Sequence, residues 1–260
     1  SAGTFTISGT PSIPGVYNYT VTTTGGLCAP VVQPGSITVD PDATISLTSA
    51  IGTDAQTICI NNTITPINYT IGGGGSGATA SGLPAGVSGT YLAGNFTISG
   101  TPTVAGTFNY TVTTTGLCSQ QVAAGSITVT PDALITLSSG TLNQTICQNT
   151  PLGTLLFAIS GGGTGATVSG LPAGITGTFA AGVFTISGSP TVAGTFNYTV
   201  TTTGPCLQSS INGTIIVNPD ATIVLTSGVG TDVQTLCVNN PITTITYSVG
   251  GGGTGATVSG

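Results

Sequence analysis

The sequence contains no lysine, arginine or histidine, and its six acidic residues are all aspartate. Charged residues make up 2% of the chain, against roughly 25% in ordinary soluble domains. A chain without cations has nothing with which to neutralise phosphates, which argues against nucleic acids and anionic membrane surfaces as partners. The missing histidine and lysine also remove the usual catalytic bases, and the aspartates are thinly spread. We therefore expect no enzyme.

Long apolar runs are missing as well. The mean hydropathy is +0.47, yet no apolar run approaches the ~20 residues that a membrane-spanning helix needs. The sequence thus predicts no membrane insertion. Valine, isoleucine, phenylalanine and tyrosine recur regularly, which disordered chains lack.

A repeat of about 90 residues organises what is present. The stretches 82–116 and 170–204 both run from GLPAG through an ISG(T/S)P to FNYTVTTTG, and they differ at six positions. A period of this length is typical of tandem domains that each have their own core. The predicted boundaries give a C-terminal part-repeat (1–41), a first complete repeat (42–131), a second complete repeat (132–219) and an N-terminal part-repeat (220–260).

Within the first complete repeat, apolar residues alternate with polar ones, which predicts half-buried β-strands. We count about seven such strands and no segment with helical periodicity. Turn residues recur every 8–12 positions, as in an antiparallel β-sandwich. The fold class is therefore predicted to be all-β, with immunoglobulin-like antiparallel β-sandwich domains arranged as beads on a string. The predicted inward positions are Ile45, Leu47, Ile58, Ile60, Ile67, Tyr69, Ile71, Phe96, Ile98, Phe108, Tyr110, Val112, Ile127 and Val129.

The motifs GLPAG, FTISGTP and AGTFNYTVTTTG resemble the immunoglobulin-like repeats of bacterial surface proteins. With YTVTTTGxC, SITVxPDATI and QTxC, they resemble the SprB-type giant gliding-motility adhesins of Flavobacterium-like Bacteroidetes. The resemblance covers essentially the whole chain. It implies an extracellular filament attached to the outer membrane, export by type IX secretion, and contact with the secretion and motility machinery through parts of the protein outside this chain.

Six cysteines occur, one pair per period. With no histidine and no CxxC pair, a zinc site has no ligand set, so we read them as disulfides of an oxidising, extracellular compartment. One pairing crosses the junctions between repeats and joins Cys28–Cys59, Cys118–Cys147 and Cys206–Cys237. The other lies within repeats and joins Cys59–Cys118 and Cys147–Cys206, with Cys28 and Cys237 paired outside the chain. In an immunoglobulin-like sandwich the second strand ends, and the sixth turns into the seventh, at the same end of the domain, so we predict the within-repeat pairing; the junction-crossing pairs would have to span about 25 Å.

No residues are predicted to be catalytic or to bind a cofactor. The aspartates at the junctions, Asp42, Asp132 and Asp220, leave calcium open as an alternative, although calcium prefers six to eight oxygens and each junction offers one or two carboxylates. The glycine runs at 72–75 and 250–253 lack the helix and lysine of a phosphate loop and are interpreted as flexible connections. We predict a structural stalk segment of a cell-surface adhesin whose partners are the neighbouring repeats. The alternative is an array of carbohydrate- or ice-binding modules that uses ranked threonines or exposed aromatic residues.

Overall fold

A computed structural model describes residues 3–260. These residues form twenty β-strands and no helix, and so none that is long and apolar enough to cross a membrane. In chain order the strands are β1 (Gly15–Thr22), β2 (Val32–Val39), β3 (Ala43–Leu47), β4 (Ala55–Cys59), β5 (Ile67–Gly73), β6 (Gly75–Ser81), β7 (Val87–Leu92), β8 (Asn95–Gly100), β9 (Gly106–Gly116), β10 (Val122–Thr130), β11 (Ala133–Ser139), β12 (Asn143–Cys147), β13 (Leu155–Gly161), β14 (Gly165–Ser169), β15 (Ile175–Ala180), β16 (Val183–Gly188), β17 (Gly194–Thr203), β18 (Ser210–Asn218), β19 (Ala221–Leu225) and β20 (Tyr247–Gly251).

The chain divides into two compact units, one ending at Pro131 and the other beginning at Asp132. Each unit contains one complete repeat, built from two four-stranded sheets. In the first complete repeat the hydrogen-bonded strand orders are β3-β5-β8-β7 and β4-β10-β9-β6. In the second they are β11-β13-β16-β15 and β12-β18-β17-β14. Both repeats therefore have one topology.

All strand pairs within these sheets are antiparallel except one in each repeat. Strand β4 pairs in parallel with β10, with Ala55 opposite Ser126 and Cys59 opposite Thr130. Strand β12 pairs in the same way with β18. The sandwich is thus mainly antiparallel, as predicted, but its second strand runs alongside the last strand in the same direction.

Each complete repeat has its own apolar core between its two sheets, because alternate side chains of each strand point inward. In the first repeat the buried residues are Ile64, Ile67, Tyr69, Ile71, Val87, Phe96, Ile98, Tyr110, Val112, Ile127 and Val129. The remaining predicted inward residues, Ile45, Leu47, Ile58, Ile60 and Phe108, are partly buried against this core. The predicted core is confirmed.

Two sequence-based expectations need correction. A complete repeat has eight strands and not seven, because residues 87–92 form strand β7, which the alternation pattern does not indicate. The first glycine run is not a loose connection. Strands β5 and β6 extend into it, and the N–H of Gly74 donates a hydrogen bond to the carbonyl of Asp42 (3.2 Å).

The two part-repeats each contribute a single two-stranded sheet, β1-β2 and β19-β20. Among residues 3–260, no second sheet packs on either. Tyr19 is 38% exposed, whereas Tyr110, at the equivalent place in the complete repeat, is 1% exposed. The same strand sequence is therefore buried only where both sheets are present.

Candidate functional site: the two ends of a repeat

The loop between β9 and β10 brings a cysteine to the beginning of the first complete repeat. The N–H of Ala43 donates a hydrogen bond to the carbonyl of Ser119 (3.1 Å), and the N–H of Ser119 donates to the Asp42 carboxylate (3.2 Å). Sγ of Cys118 lies 3.5 Å from the carbonyl oxygen of Asp40. We call Cys118 and its equivalents the hairpin cysteines. This one lies against the last residues of the preceding part-repeat.

The second complete repeat places its hairpin cysteine in the same way. The N–H of Ala133, at the start of β11, donates to the carbonyl of Leu207 (2.9 Å), which directly follows Cys206. In both repeats the hairpin cysteine is therefore fixed beside the first strand.

A buried threonine and a glutamine hold this loop. Thr114 is 1% exposed, and its hydroxyl donates to Oε1 of Gln120 (2.9 Å). Nε2 of Gln120 donates to the carbonyl of Cys118 (2.6 Å). The second repeat repeats both contacts with Thr202, Gln208 and Cys206, at 2.8 and 2.5 Å. These bonds connect the backbone carbonyl of each hairpin cysteine to the buried threonine through the glutamine.

The other cysteine of each repeat ends the second strand. Cys59 is the last residue of β4 and is paired with Thr130, the last residue of β10. Cys147 is paired with Asn218 at the end of β18. We call these the strand-end cysteines. Since β10 and β18 are the last strands of their repeats, the strand-end cysteines lie at the opposite end from the hairpin cysteines.

A glutamine and an asparagine with positive φ shape the segment that follows the strand-end cysteine. Nε2 of Gln56 donates to the carbonyl of Thr65 (2.7 Å), whose N–H donates back to Oε1 of Gln56 (2.9 Å). After each strand-end cysteine the chain turns at Asn61 (φ 62°) or Asn149 (φ 59°), a conformation that asparagine tolerates well. Nδ2 of Asn149 donates to the carboxylate of Asp220 (3.1 Å), the first residue of the following part-repeat. This end, too, lies at a junction.

The predicted within-repeat disulfides are wrong. Cys118 and Cys147 carry free thiols. Cys59 lies beside the end of β10 and Cys118 beyond its start, so the nine residues of β10 separate them by about 26 Å at ~3.3 Å per residue. A disulfide needs its Cα atoms within about 4.4–6.8 Å. Our prediction assumed that the second strand ends at the hairpin end, and the parallel β4–β10 pairing reverses that order.

The cysteines differ in redox state. Cys59 and Cys206 are each disulfide-bonded. Cys28, Cys118, Cys147 and Cys237 carry free thiols. Free thiols and disulfide-bonded cysteines occur both in the hairpin position and in the strand-end position. The position of a cysteine in its repeat therefore does not by itself decide whether it is disulfide-bonded.

The junction aspartates act as hydrogen-bond acceptors, through Ser119 for Asp42 and Asn149 for Asp220. Within residues 3–260, no three histidine, cysteine, aspartate or glutamate side chains are close enough together to hold a metal ion. Calcium at these aspartates is the alternative to the predicted absence of a cofactor, and chelation experiments test it.

Three tyrosines of the two cores have a raised pKa. Burial raises the pKa of Tyr69, Tyr110 and Tyr198 above the ordinary value of 10. The hydroxyls of Tyr69 and Tyr110 are 3.1 Å apart, and that of Tyr198 donates to the carbonyl of Leu142 (2.9 Å). These hydroxyls are paired inside the sandwich, and their roles are structural.

Few surface features of the chain favour the alternative function, binding of carbohydrate or ice. Threonine and serine hydroxyls on the outer face of β6, β9 and β10 bond to one another, as between Ser81 and Thr111 (2.9 Å) and between Thr107 and Thr128 (3.3 Å). The aromatic residues of the complete repeats are mostly buried, and Tyr91 and Phe179 are 37% and 38% exposed. An apolar depression on the part-repeat 3–41, lined by residues such as Ile7, Tyr17 and Ile37, is the uncovered side of its hairpin.

No protein-family model matches the sequence, and no curated protein matches it. Among solved structures, an I-band fragment from titin is similar, with a TM-score of 0.55 and 10% identity over 70% of this chain and 68% of that fragment. A Glu-to-Ala variant of the same three titin immunoglobulin domains gives a TM-score of 0.54, with 10% identity over 71% and 68%. The first two immunoglobulin domains of DIP-gamma give 0.45, with 8% identity over 70% and 99%. At these identities the titin likeness concerns the fold alone: the chain consists of tandem immunoglobulin-like β-sandwiches.

Proposed function

We propose that this chain is a stalk segment of a long extracellular adhesin of the SprB type, which serves surface adhesion and gliding motility in a Flavobacterium-like bacterium. Its partners are the neighbouring repeats and, through parts outside this chain, the outer-membrane machinery of type IX secretion and motility. It performs no catalysis, binds no nucleic acid and does not insert into the membrane. The sequence motifs support the family, and the tandem immunoglobulin-like fold supports a structural role.

The observation that carries the proposal is the parallel pairing of β4 with β10. The chain enters a complete repeat at one end, beside the hairpin cysteine, and leaves it at the other, after β10. Tension along the chain draws β4 towards the entry and β10 towards the exit. Because the two strands are parallel, their hydrogen bonds are loaded together in shear and do not open one after another. A domain of this kind suits the transmission of force.

Stretching single molecules of the whole chain, with reductant present, tests this role. Each complete repeat has about 90 residues and should release about 30 nm of chain on unfolding, at ~3.3–3.6 Å per residue. The N–H of Ile60 donates to the carbonyl of Thr130 (2.9 Å) beside the shear interface, so Ile60→Pro should lower the unfolding force of the first complete repeat. The control, Ile51→Pro, lies in the exposed turn before β4 and should leave the force unchanged. Equal forces in all three chains would contradict a load-bearing β4–β10 pair.

The alternative, an array of carbohydrate- or ice-binding modules, is favoured by one observation, the threonine- and serine-rich outer face of β6, β9 and β10. A binding array retains its affinity when isolated from the rest of the protein, whereas a stalk segment does not bind. Measuring binding of the isolated chain to a panel of polysaccharides and to ice separates the two. Saturable binding that is lost in Thr111→Val, but not in Thr107→Val at the far end of the face, would replace the stalk proposal.

A further inference from the structure

The two part-repeats of this chain are complementary halves of one sandwich. The C-terminal part-repeat, residues 3–41, corresponds to residues 94–131 of the first complete repeat, and the N-terminal part-repeat, residues 220–260, corresponds to residues 42–82. We propose that the C-terminal part-repeat of one copy of this chain docks onto the N-terminal part-repeat of a second copy, and that the two together rebuild a sandwich. The proposal concerns residues 1–260 as a molecule and does not depend on the adhesin assignment.

Residues that form the core of the complete repeats are exposed in the part-repeats. Phe5 is 74% exposed and Tyr247 is 51% exposed, whereas their counterparts Phe96 and Tyr69 are each 2% exposed. Other exposed residues at core positions are Ile7, Tyr17, Ile37, Leu236 and Ile242. Monomeric proteins rarely expose large contiguous apolar patches, and such patches mark interaction surfaces. In the complete repeat the same residues are covered by the other half of the sandwich.

The first sheet of the sandwich lacks one strand in each part-repeat. In the first complete repeat β5 pairs with β8, and Tyr69 lies opposite Phe96. The counterpart of β5 is β20, and the counterpart of β8 is the segment 4–9, which lies in none of the strands of the described residues. Docking places Phe5 of one copy opposite Tyr247 of the other and makes the segment 4–9 a strand beside β20.

The second sheet is completed in the same way. In the first complete repeat β9 and β10 pair with each other, and their outer edges pair with β6 and β4. Their counterparts β1 and β2 form a two-stranded sheet whose outer edges are both free among residues 3–260. The counterparts of β6 and β4 are the segments 253–259 and 233–237, and neither belongs to a strand of the described chain. Each free edge of one part-repeat therefore has its partner sequence in the other.

Each part-repeat already has the internal arrangement that a sandwich requires. Strands β1 and β2 pair in the register of β9 and β10, so that Tyr19 lies opposite Gly35. Strands β19 and β20 pair in the register of β3 and β5, so that Leu225 lies opposite Tyr247. Docking thus orders two short segments and leaves both hairpins as they are, which limits its conformational cost.

One strand of the rebuilt sandwich is missing. Residues 83–91, which include most of β7, have no counterpart in either part-repeat. Strand β7 lies at the edge of its sheet and pairs with β8 alone, so its absence interrupts no other pairing. Val87 of this strand belongs to the core, however, and its side chain is also missing. We therefore expect the rebuilt sandwich to be less stable than a complete repeat and to dissociate on dilution.

A second copy is the occupant that the order of the chain favours. Within one copy, residues 42–219 separate the two part-repeats and form two complete repeats, each entered at one end and left at the other. A second copy supplies the missing half without any bending of this segment. The two docking surfaces differ, so the contact is head-to-tail and one copy can bind two others. The contact is apolar in a chain without cations, so salt should not weaken it.

The mass of the whole chain at increasing concentration tests the proposal. Reductant is present, so that no disulfide joins two copies. Sedimentation of the 25.1 kDa chain should give a mass that rises in steps of one chain from micromolar to millimolar concentration. Amide hydrogens of the segments 4–9 and 233–237 should become protected from exchange over the same range. A mass that stays at one chain, through closure within a copy or through lack of docking, would overturn the proposal.

Two variants of the whole chain each block one docking surface. Tyr19→Asp places a charge on the inward face of β1, and Tyr247→Asp places one on the inward face of β20. Each variant alone should remain a single chain, and an equimolar mixture should form pairs of about twice the mass and nothing larger. The matched controls Asn18→Asp and Ser248→Asp change neighbours whose counterparts are exposed in the complete repeat, so both should associate like the parent chain.

The mixture separates head-to-tail docking from other association. Association of Tyr247→Asp alone would show that the C-terminal part-repeats bind each other, and association of Tyr19→Asp alone would show the same for the N-terminal ones. A mixture without pairs would show that the two surfaces are not complementary. Each of these results would overturn the proposal. Hydrogen exchange of residues 42–219 checks that the complete repeats stay folded, and the parent chain gives a result by itself if a variant does not fold.

Discussion

The two complete repeats share a fold and most of their sequence, but they differ in how the buried tyrosine hydroxyl of the core is hydrogen-bonded. The first has Tyr69 in β5, where the second has Phe157 at the same place in β13. In the first repeat the hydroxyl of Tyr110 lies 3.1 Å from that of Tyr69 and 3.4 Å from the carbonyl of Asp54. In the second, Tyr198 donates directly to the equivalent carbonyl, that of Leu142, at 2.9 Å.

The difference shows how a sandwich core accommodates a polar atom. A buried hydroxyl without a partner costs about 1–3 kcal/mol. The first repeat buries two hydroxyls that pair with each other, and the second buries one that bonds to a carbonyl. An additional hydroxyl can therefore be buried only where an existing group can bond to it. The same substitution should for this reason change the stability of the two repeats by different amounts.

The largest effect should be common to both repeats. A Cβ added at Gly125 would lie 2.3 Å from the Tyr110 hydroxyl and 2.4 Å from the Asp54 carbonyl, and Gly213 shows the same distances to Tyr198 and Leu142. We expect Gly125→Ala and Gly213→Ala each to destabilise their repeat by about 3 kcal/mol. Hydrogen exchange of the intact chain, followed by repeat, measures this.

The control for Gly125→Ala is Ala124→Ser, an exposed neighbour in β10 that should change little. A loss confined to one repeat would show that the tyrosine–carbonyl contact is not equally important in both.

The next effect should distinguish the repeats. Tyr110→Phe leaves the hydroxyl of Tyr69, a residue 2% exposed, without its bond to Tyr110. Tyr198→Phe removes one donor from Leu142, whose carbonyl still accepts from the N–H of Thr214 (3.3 Å). We expect losses of about 2 and about 1 kcal/mol in the free energy of unfolding. In Tyr110→Phe combined with Tyr69→Phe, part of the larger loss should return. Equal losses, with no recovery in the double variant, would refute a shared hydroxyl pair.

Alkaline pH should destabilise the first repeat more than the second. Burial raises the pKa of all three tyrosines in the folded state. In the unfolded chain they ionise near the ordinary value of 10, so the stabilisation is complete below that pH and falls as the pH rises above it. The first repeat has two such tyrosines and should lose protection from exchange at a lower pH. Circular dichroism with absorbance at 295 nm follows unfolding and ionisation together. An identical alkaline response of the two repeats would contradict this assignment.

The smallest effect should come from exchanging the residue that differs. Tyr69→Phe gives the first repeat the arrangement of the second and lets Tyr110 bond to Asp54 alone. The free energy of unfolding should change by no more than ~0.5 kcal/mol, and the alkaline sensitivity of the two repeats should become similar. Phe157→Tyr is the reciprocal test. A loss above ~2 kcal/mol in Tyr69→Phe would show that the bond between the two hydroxyls stabilises the core by more than it costs to bury them.

The sequence predicted the core because strand burial has a period of two. Ile67, Tyr69 and Ile71 alternate in β5, and Phe96 and Ile98 in β8, and all five are buried. Strand β7 was missed because Gly89 interrupts the alternation and resembles a turn residue. Its missing side chain instead makes room for the Phe96 ring, whose nearest atom lies 2.3 Å from where a Cβ would be.

The cysteine positions needed information that alternation does not contain. A strand that pairs in parallel has the same pattern as one that pairs antiparallel, and the turn after Cys59 has the composition of a hairpin turn. The direction of β4 relative to β10 decides at which end of the repeat Cys59 lies. For that reason the sequence predicted that the cysteines form disulfides but placed two of them at the wrong end of the sandwich.

The assignment of one cysteine to the entry and one to the exit of each repeat has a genetic consequence. Tandem copies as alike as residues 82–116 and 170–204 invite unequal recombination, which adds or removes whole repeats. Every repeat has the same entry and the same exit, so a gene that gains or loses one still encodes junctions with one cysteine of each kind. The number of repeats can therefore change over generations while the arrangement of cysteines at the two ends of each repeat is inherited unchanged.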